Sequence, residues 1–340
     1  MKKIFFYTAS LILLTSCGSF LKSKSKKTNV DYASTITSEE LSKHLYIYAS
    51  DEFEGRNTGE PGQKKAAEYL KNYYVKEGIA SALGGDNYFQ EVPTSFFNKS
   101  SRGRDLKGSE NVVAFIKGTE KPEEVIVISA HLDHVGVRNG QIYNGADDDG
   151  SGTVAVLEIA QAFKEAAEDG NGPKRSILFL HVTAEEKGLL GSRYYAENPI
   201  FPMANTIANL NIDMIGRVDE AHKDNPNYVY LIGSDKLSTE LHDISEEVNK
   251  KYANVTLDYT YNDEDDPNRF YYRSDHYNFA QYGVPIIFYF NGTHADYHRP
   301  SDTPDKINYE MLQNRTRLVF HTAWEVANRE DRIIVDKAVK

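Results

Sequence analysis

A single cysteine, Cys17, excludes an intrachain disulfide and any metal site built on several thiolates. Positive charge is scarce: 39 Lys and Arg stand against 50 Asp and Glu, for a net charge of −11. Six of those lysines lie in residues 1–27, where there is no acidic residue, so the remaining chain sets 33 basic residues against 50 acidic, or −17. Such a body is a poor partner for nucleic acid, which needs clustered cations. Nor is there an apolar run of the roughly 20 residues that cross a bilayer. Residues 37–340 contain no repeat and no Pro/Gly/Ser linker, so they read as one domain. What is present, 40% hydrophobic, 26% charged and 12% aromatic residues in 340, is the composition of a soluble globular protein.

The cysteine has a telling position. Residues 1–17 run Lys2-Lys3, a mostly apolar stretch Ile4–Leu14, then Thr15-Ser16-Cys17. A basic start and a short greasy stretch ending in small residues form an export signal. The Leu-Thr-Ser-Cys ending resembles a bacterial lipobox, which implies lipidation at Cys17, an exported protein and membrane attachment through a lipid anchor only. Residues 18–36 are expected to be a flexible tether.

Beyond the tether the pattern is periodic. Residues 60–77 place Ala66, Leu70, Tyr73 and Tyr74 on one helical face, and residues 151–167 do the same with Val156, Ile159, Ala160 and Phe163. A last helix is expected over 309–327. Short apolar runs at 112–116, 125–129, 177–182, 207–212, 228–232 and 285–290 suit buried strands. Alternating strands and helices imply an α/β fold, three αβα layers with helices on both faces of a mostly parallel, mixed sheet. The tyrosine- and acid-rich segment 258–272 reads as an ordered insertion or lid, or a solvated loop.

Acid and imidazole gather where these runs end. Run 125–129 leads into His131, Asp133 and His134; run 177–182 into Glu185-Glu186; run 207–212 into Asp213; and run 285–290 into His294, Asp296 and His298. Asp147-Asp148-Asp149 immediately precedes a helix. Ligands of open α/β sheets sit beyond the carboxyl ends of strands, so these clusters should share one pocket. Without thiolates, His and carboxylates are the ligand set for zinc or a harder divalent ion.

In succession, SAHLDHVG (129–136), NGADDDGSGT (144–153), TAEEKGLLGS (183–192), NIDMIGR (211–217) and YHRPSDTPDKI (297–307) resemble the motifs of the di-zinc aminopeptidases. Bacterial leucyl aminopeptidase and aminopeptidase S belong to that family, which sits in a wider zinc-exopeptidase group with glutamate carboxypeptidase II. Segments 51–70 and 273–285 match as well, so the likeness covers about 45–310.

The resemblance implies the zinc-exopeptidase fold (phosphorylase/hydrolase-like), two zinc ions per chain and a peptide substrate. It implies that His131 and Asp213 hold one metal, Glu186 and His298 the other, and that Asp147 bridges them. Asp133 would orient His131, and Glu185 would act as base and acid. It also implies a cis bond between Asp147 and Asp148, whereas Asp302 reads as a local cap near the final helix.

Two other activities share this background. A glutaminyl cyclase has the same fold with one zinc, and a carboxypeptidase would need a cationic pocket, for which Arg217, Arg269 and Arg273 are the candidates. Only 93–109 is available for the inserted protease-associated domain of some relatives, so none is expected. Side-chain preference and oligomeric state are not encoded in any motif.

Overall fold

The computed structural model describes residues 1, 3 and 27–338; Cys17 and the expected export signal lie outside them. Among the described residues eleven strands form, in chain order: β1 (Ala80–Ser81), β2 (Phe89–Val92), β3 (Ser109–Ile116), β4 (Lys121–His131), β5 (Gly136–Arg138), β6 (Gln141–Tyr143), β7 (Arg175–Val182), β8 (Thr206–Ile212), β9 (Tyr228–Ile232), β10 (Thr256–Asp258) and β11 (Ile286–Phe290). The main sheet runs β1-β3-β7-β4-β8-β11-β9-β10, with β2 also on β3, while β5 and β6 make a separate hairpin. At its centre β7, β4, β8 and β11 are adjacent and parallel, and antiparallel pairs flank them on both sides.

The six apolar runs become the long strands because both sheet faces are covered, leaving no position that needs to be polar. Alternate side chains enter two cores. Ile126, Ile128, Phe179, Leu210 and Ile287 face the helices Ser38–Tyr48, Pro61–Lys76, Gly152–Glu168 and Tyr309–Asn328. Val125, Val127, Leu178 and Leu180 face the opposite layer, which includes Tyr195 and Phe279.

Pro61 supplies the fixed φ of a first helical turn, and its helix buries Ala66, Leu70, Tyr73 and Tyr74 as the spacing requires. It ends at Gly78, whose φ of +64° lets the Ile79 N–H return to the Tyr74 carbonyl at 2.9 Å. No helix among the described residues is long and apolar enough to cross a membrane.

The expected tether over 18–36 stops short. Residues Asn29–Ala33 form a helical turn in which the carboxylate of Asp31 accepts from the Thr28 N–H at 2.7 Å. Tyr32, Ala33 and Ile36 are buried, and Tyr32 stacks on Trp324 with centroids 5.7 Å apart. An aromatic ring with a partner of that size adheres where composition alone suggested a loose chain. Segment 258–272 is folded into short turns, and Asp266 accepts from the main-chain N–H groups of Asn268 and Phe270.

Candidate metal centre

The four parallel strands bring the site together. His131 is the last residue of β4; Glu185 and Glu186 follow β7; Asp213 directly follows β8; and His298 lies on the loop after β11. Parallel neighbours end on the same sheet edge, so residues far apart in sequence meet there.

His131 is buried, and its Nδ1 lies 3.0 Å from the main-chain carbonyl of Asp133. A proton on that nitrogen leaves the Nε2 lone pair facing Oδ1 of Asp148 at 3.2 Å and Oδ1 of Asp213 at 3.6 Å. Asp133 thus fixes the ring through its carbonyl. Its carboxylate stands 4.0 Å off and instead accepts from Thr58 Oγ1 at 2.7 Å and the Glu185 N–H at 3.1 Å. Asp213 is further held by the Ser274 hydroxyl at 2.7 Å.

The expectation for Asp147 is corrected. Asp148 stands between the histidines: its Oδ1 faces His131, while its Oδ2 is 3.0 Å from His298 Nε2 and 3.7 Å from His134 Nδ1. Asp147 turns away, accepting from the Gly216 N–H at 2.7 Å and lying 3.1 Å from His294 Nε2. The third aspartate, Asp149, accepts from the N–H groups of His131, Gly152 and Met214. Three consecutive identical side chains point three ways, which sequence spacing cannot resolve. The cis peptide bond is likewise one residue later than expected, joining Asp148 to Asp149.

Glu186 completes the other side, with Oε1 3.2 Å from His298 Nε2 and 2.9 Å from His134 Nδ1. Two groups of potential donors therefore share Asp148: His131, Asp148 and Asp213 on one side, and His134, Asp148 and Glu186, with His298 beside them, on the other. His131 Nε2, His134 Nδ1, Asp148 Oδ2 and Glu186 Oε1 are all buried without a hydrogen-bond partner. Such atoms are costly unless something satisfies them, and nitrogen and carboxylate donors converging in this way fit divalent cations, zinc among them.

Local electrostatics agree. Burial works against a charged His131, yet Asp213 and Asp148 hold its pKa well above the ordinary value. Burial raises the Glu185 carboxyl, and the carboxylates of Asp213, Glu186 and Asp275 raise it further. The site is a concentration of negative charge that dications would offset.

Supporting residues lie inside the segments that resemble the family, but no spacing assigns them a role. Arg56 is fully buried and donates to the carbonyls of Tyr48, Leu132, Asn144 and Gly145, fixing both loops that bear ligands. Asp302, read as a local cap, instead accepts from the N–H groups of Asp147 and Asp148. Asp275 and His276 are buried behind the site, bonded to the Ser192 hydroxyl and the Tyr271 carbonyl.

A cavity of about 680 Å³ opens over these residues, lined by Asp148, Glu185, Glu186, Asp213 and His298 together with Met214, Phe270, Phe288 and Phe290. Of the three arginines named from sequence, only Arg273 lines it; Arg217 pairs with Asp296 at 2.9 Å, and Arg269 lines a neighbouring hollow.

Residues 111–323 match the model of peptidase family M28. The chain is 30% identical over 254 residues to leupeptin-inactivating enzyme 1 of Streptomyces exfoliatus, covering 74% of this chain and 48% of that protein. It is 29% identical over 275 residues to leucine aminopeptidase 1 of Coccidioides posadasii, covering 76% and 68%. The chain thus spans about half the length of the first relative and two thirds of the second. Its fold resembles that of the LapA aminopeptidase of Legionella pneumophila, with a TM-score of 0.68 at 22% identity, covering 91% of this chain and 76% of that one. Four strand-end clusters on one edge of a mixed sheet, the aspartate triplet ahead of the helix Gly152–Glu168 and a family match spanning most of the domain lead to one assignment: the chain belongs to peptidase family M28.

Proposed function

We propose that this chain is a zinc-dependent aminopeptidase, which removes N-terminal residues from peptides using two zinc ions. The observation that carries the reading is Asp148, whose two carboxylate oxygens face separate sets of His and carboxylate donors. His131, Asp148 and Asp213 would hold one ion, and Asp148, Glu186 and His298 the other. Bound there, zinc would supply Lewis acidity that polarises a carbonyl and acidifies water.

The chain's own residues account for the remaining chemistry. Glu185 lines the cavity beside the donors, while its backbone is fixed by Asp133. It takes a proton from the attacking water and returns one to the leaving amine. Next to it Glu186 turns to His134 and His298, so base and ligand are separate side chains. Phe270, Phe288, Phe290 and Met214 give the cavity an apolar wall suited to the side chain of the released residue.

Attachment to a bacterial membrane through Cys17 is part of the same reading, supported by Lys2-Lys3, the apolar run and the Leu-Thr-Ser-Cys ending.

The test is a panel of aminoacyl anilides, free and N-acetylated, with wild type and Glu185→Gln. Free substrates should be cleaved and blocked ones spared. The variant should lose about 100-fold or more in kcat while keeping its zinc. Equal cleavage of blocked substrates would overturn the aminopeptidase reading, and cyclisation of N-terminal glutamine with one zinc per chain would favour the cyclase.

A further inference from the structure

One histidine beside the centre has no place in the five-ligand scheme. His134 is fully buried, and neither of its ring nitrogens has a hydrogen-bond partner. Its Nδ1 lies 2.9 Å from Glu186 Oε1 and 3.7 Å from Asp148 Oδ2, the same two oxygens that His298 Nε2 approaches at 3.2 and 3.0 Å. Both oxygens also lack hydrogen-bond partners, so the close approach of Nδ1 to Glu186 is not an aligned N–H···O bond.

Packing fixes the ring. A Cβ on Gly145 would come within 2.5 Å of both Cγ and Cδ2 of His134, and Gly145 has the left-handed φ of +55° that glycine adopts freely. The imidazole is pressed against the donor cluster by a loop shaped to admit it.

We infer that His134 Nδ1 is a fourth protein donor to the ion held by Asp148, Glu186 and His298. This rests on the two-ion reading above and adds an asymmetry to it. One ion has three protein donors, His131, Asp148 and Asp213, the count of a catalytic site with an open position. The other has four, the count of a closed structural site. The four-donor ion is retained and frames the centre, while the three-donor ion meets the substrate and exchanges more readily.

Two measurements on the full chain test this. Zinc transfer from wild type to a chromophoric chelator should be biphasic, with one fast and one slow ion. His134→Leu should convert the slow ion to a fast one, lowering its affinity by more than the ~10–100-fold expected for loss of an outer hydrogen-bond partner. His134→Asn, which returns a donor near the Nδ1 position, should recover part of that affinity.

Independently of any fold defect in a variant, wild-type protein carrying ¹⁵N-histidine and loaded with ¹¹³Cd should show three ring nitrogens split by the metal. Two split nitrogens, or three that persist in His134→Asn, would overturn the assignment while leaving the two-ion centre standing. No splitting, with no zinc retained, would overturn both. One zinc in wild type that His134→Leu releases would uphold the ligand and remove the second ion.

Discussion

The carboxylate of Asp302 holds the backbone of Asp148 from 154 residues further along the chain, accepting its N–H at 3.2 Å and that of Asp147 at 3.0 Å. The carboxylate proposed to bridge the two ions is therefore aimed by a residue that contributes no donor atom to the cluster. Asp302→Ala leaves two buried amides without an acceptor, each costing ~1–3 kcal/mol. We expect zinc affinity to fall ~10–100-fold, as for other residues that orient ligands. Competition with a chelator measures this directly. Unchanged zinc retention would mean that Asp148 is aimed by packing alone.

Asp147 and Asp148 separate cleanly by substitution. Asp148→Asn removes the shared negative charge, so at least one zinc per chain should be lost and kcat/KM should fall by more than ~100-fold. Asp147→Asn should keep both ions, because its carboxylate serves Gly216 and His294. Its cost should appear in stability, ~1–2 kcal/mol for weakened buried hydrogen bonds. Metal content by elemental analysis decides between them, and loss of zinc in Asp147→Asn alone would restore the reading made from sequence.

Much of this site is visible in the sequence because strand-end chemistry is contiguous with apolar runs. His131, Glu185, Glu186 and Asp213 each lie within four residues of a central strand's end, and all meet as the parallel order requires. Asp148 was missed by one residue because Asp147–Asp149 carries no phase: nothing in three equal letters says which one faces the pocket. Arg56 and Asp302 lie in segments that resemble the family, but they act through main-chain groups distant in sequence, so no local spacing discloses their roles. The short strands β1, β2 and β10 are two to four residues each, too brief for an alternation to register. Tyr32 stacks on Trp324, nearly 300 residues away, whereas only Val30, Ala33 and Ile36 break the polar run around it in sequence.

Away from the metal centre, Glu158 gives the fold a pH dependence. It lies buried on the helix Gly152–Glu168, facing Glu40, Lys43 and His44 on one neighbouring helix and Tyr69, Tyr73 and Glu77 on or beside another. Burial, then Glu40 and Glu77, push its carboxyl up to about 8 from an ordinary 4.5. Between those values the folded chain keeps a proton that the unfolded chain releases. The stability tied to Glu158 is therefore complete below pH 4.5, drains as pH rises to about 8 and is level above it. Glu158→Gln keeps the shape without the charge. Urea midpoints of variant and wild type should nearly coincide at pH 5, and the variant should lead by on the order of 1–3 kcal/mol at pH 9. If the two series ran parallel across that range, the pH dependence would belong to another group.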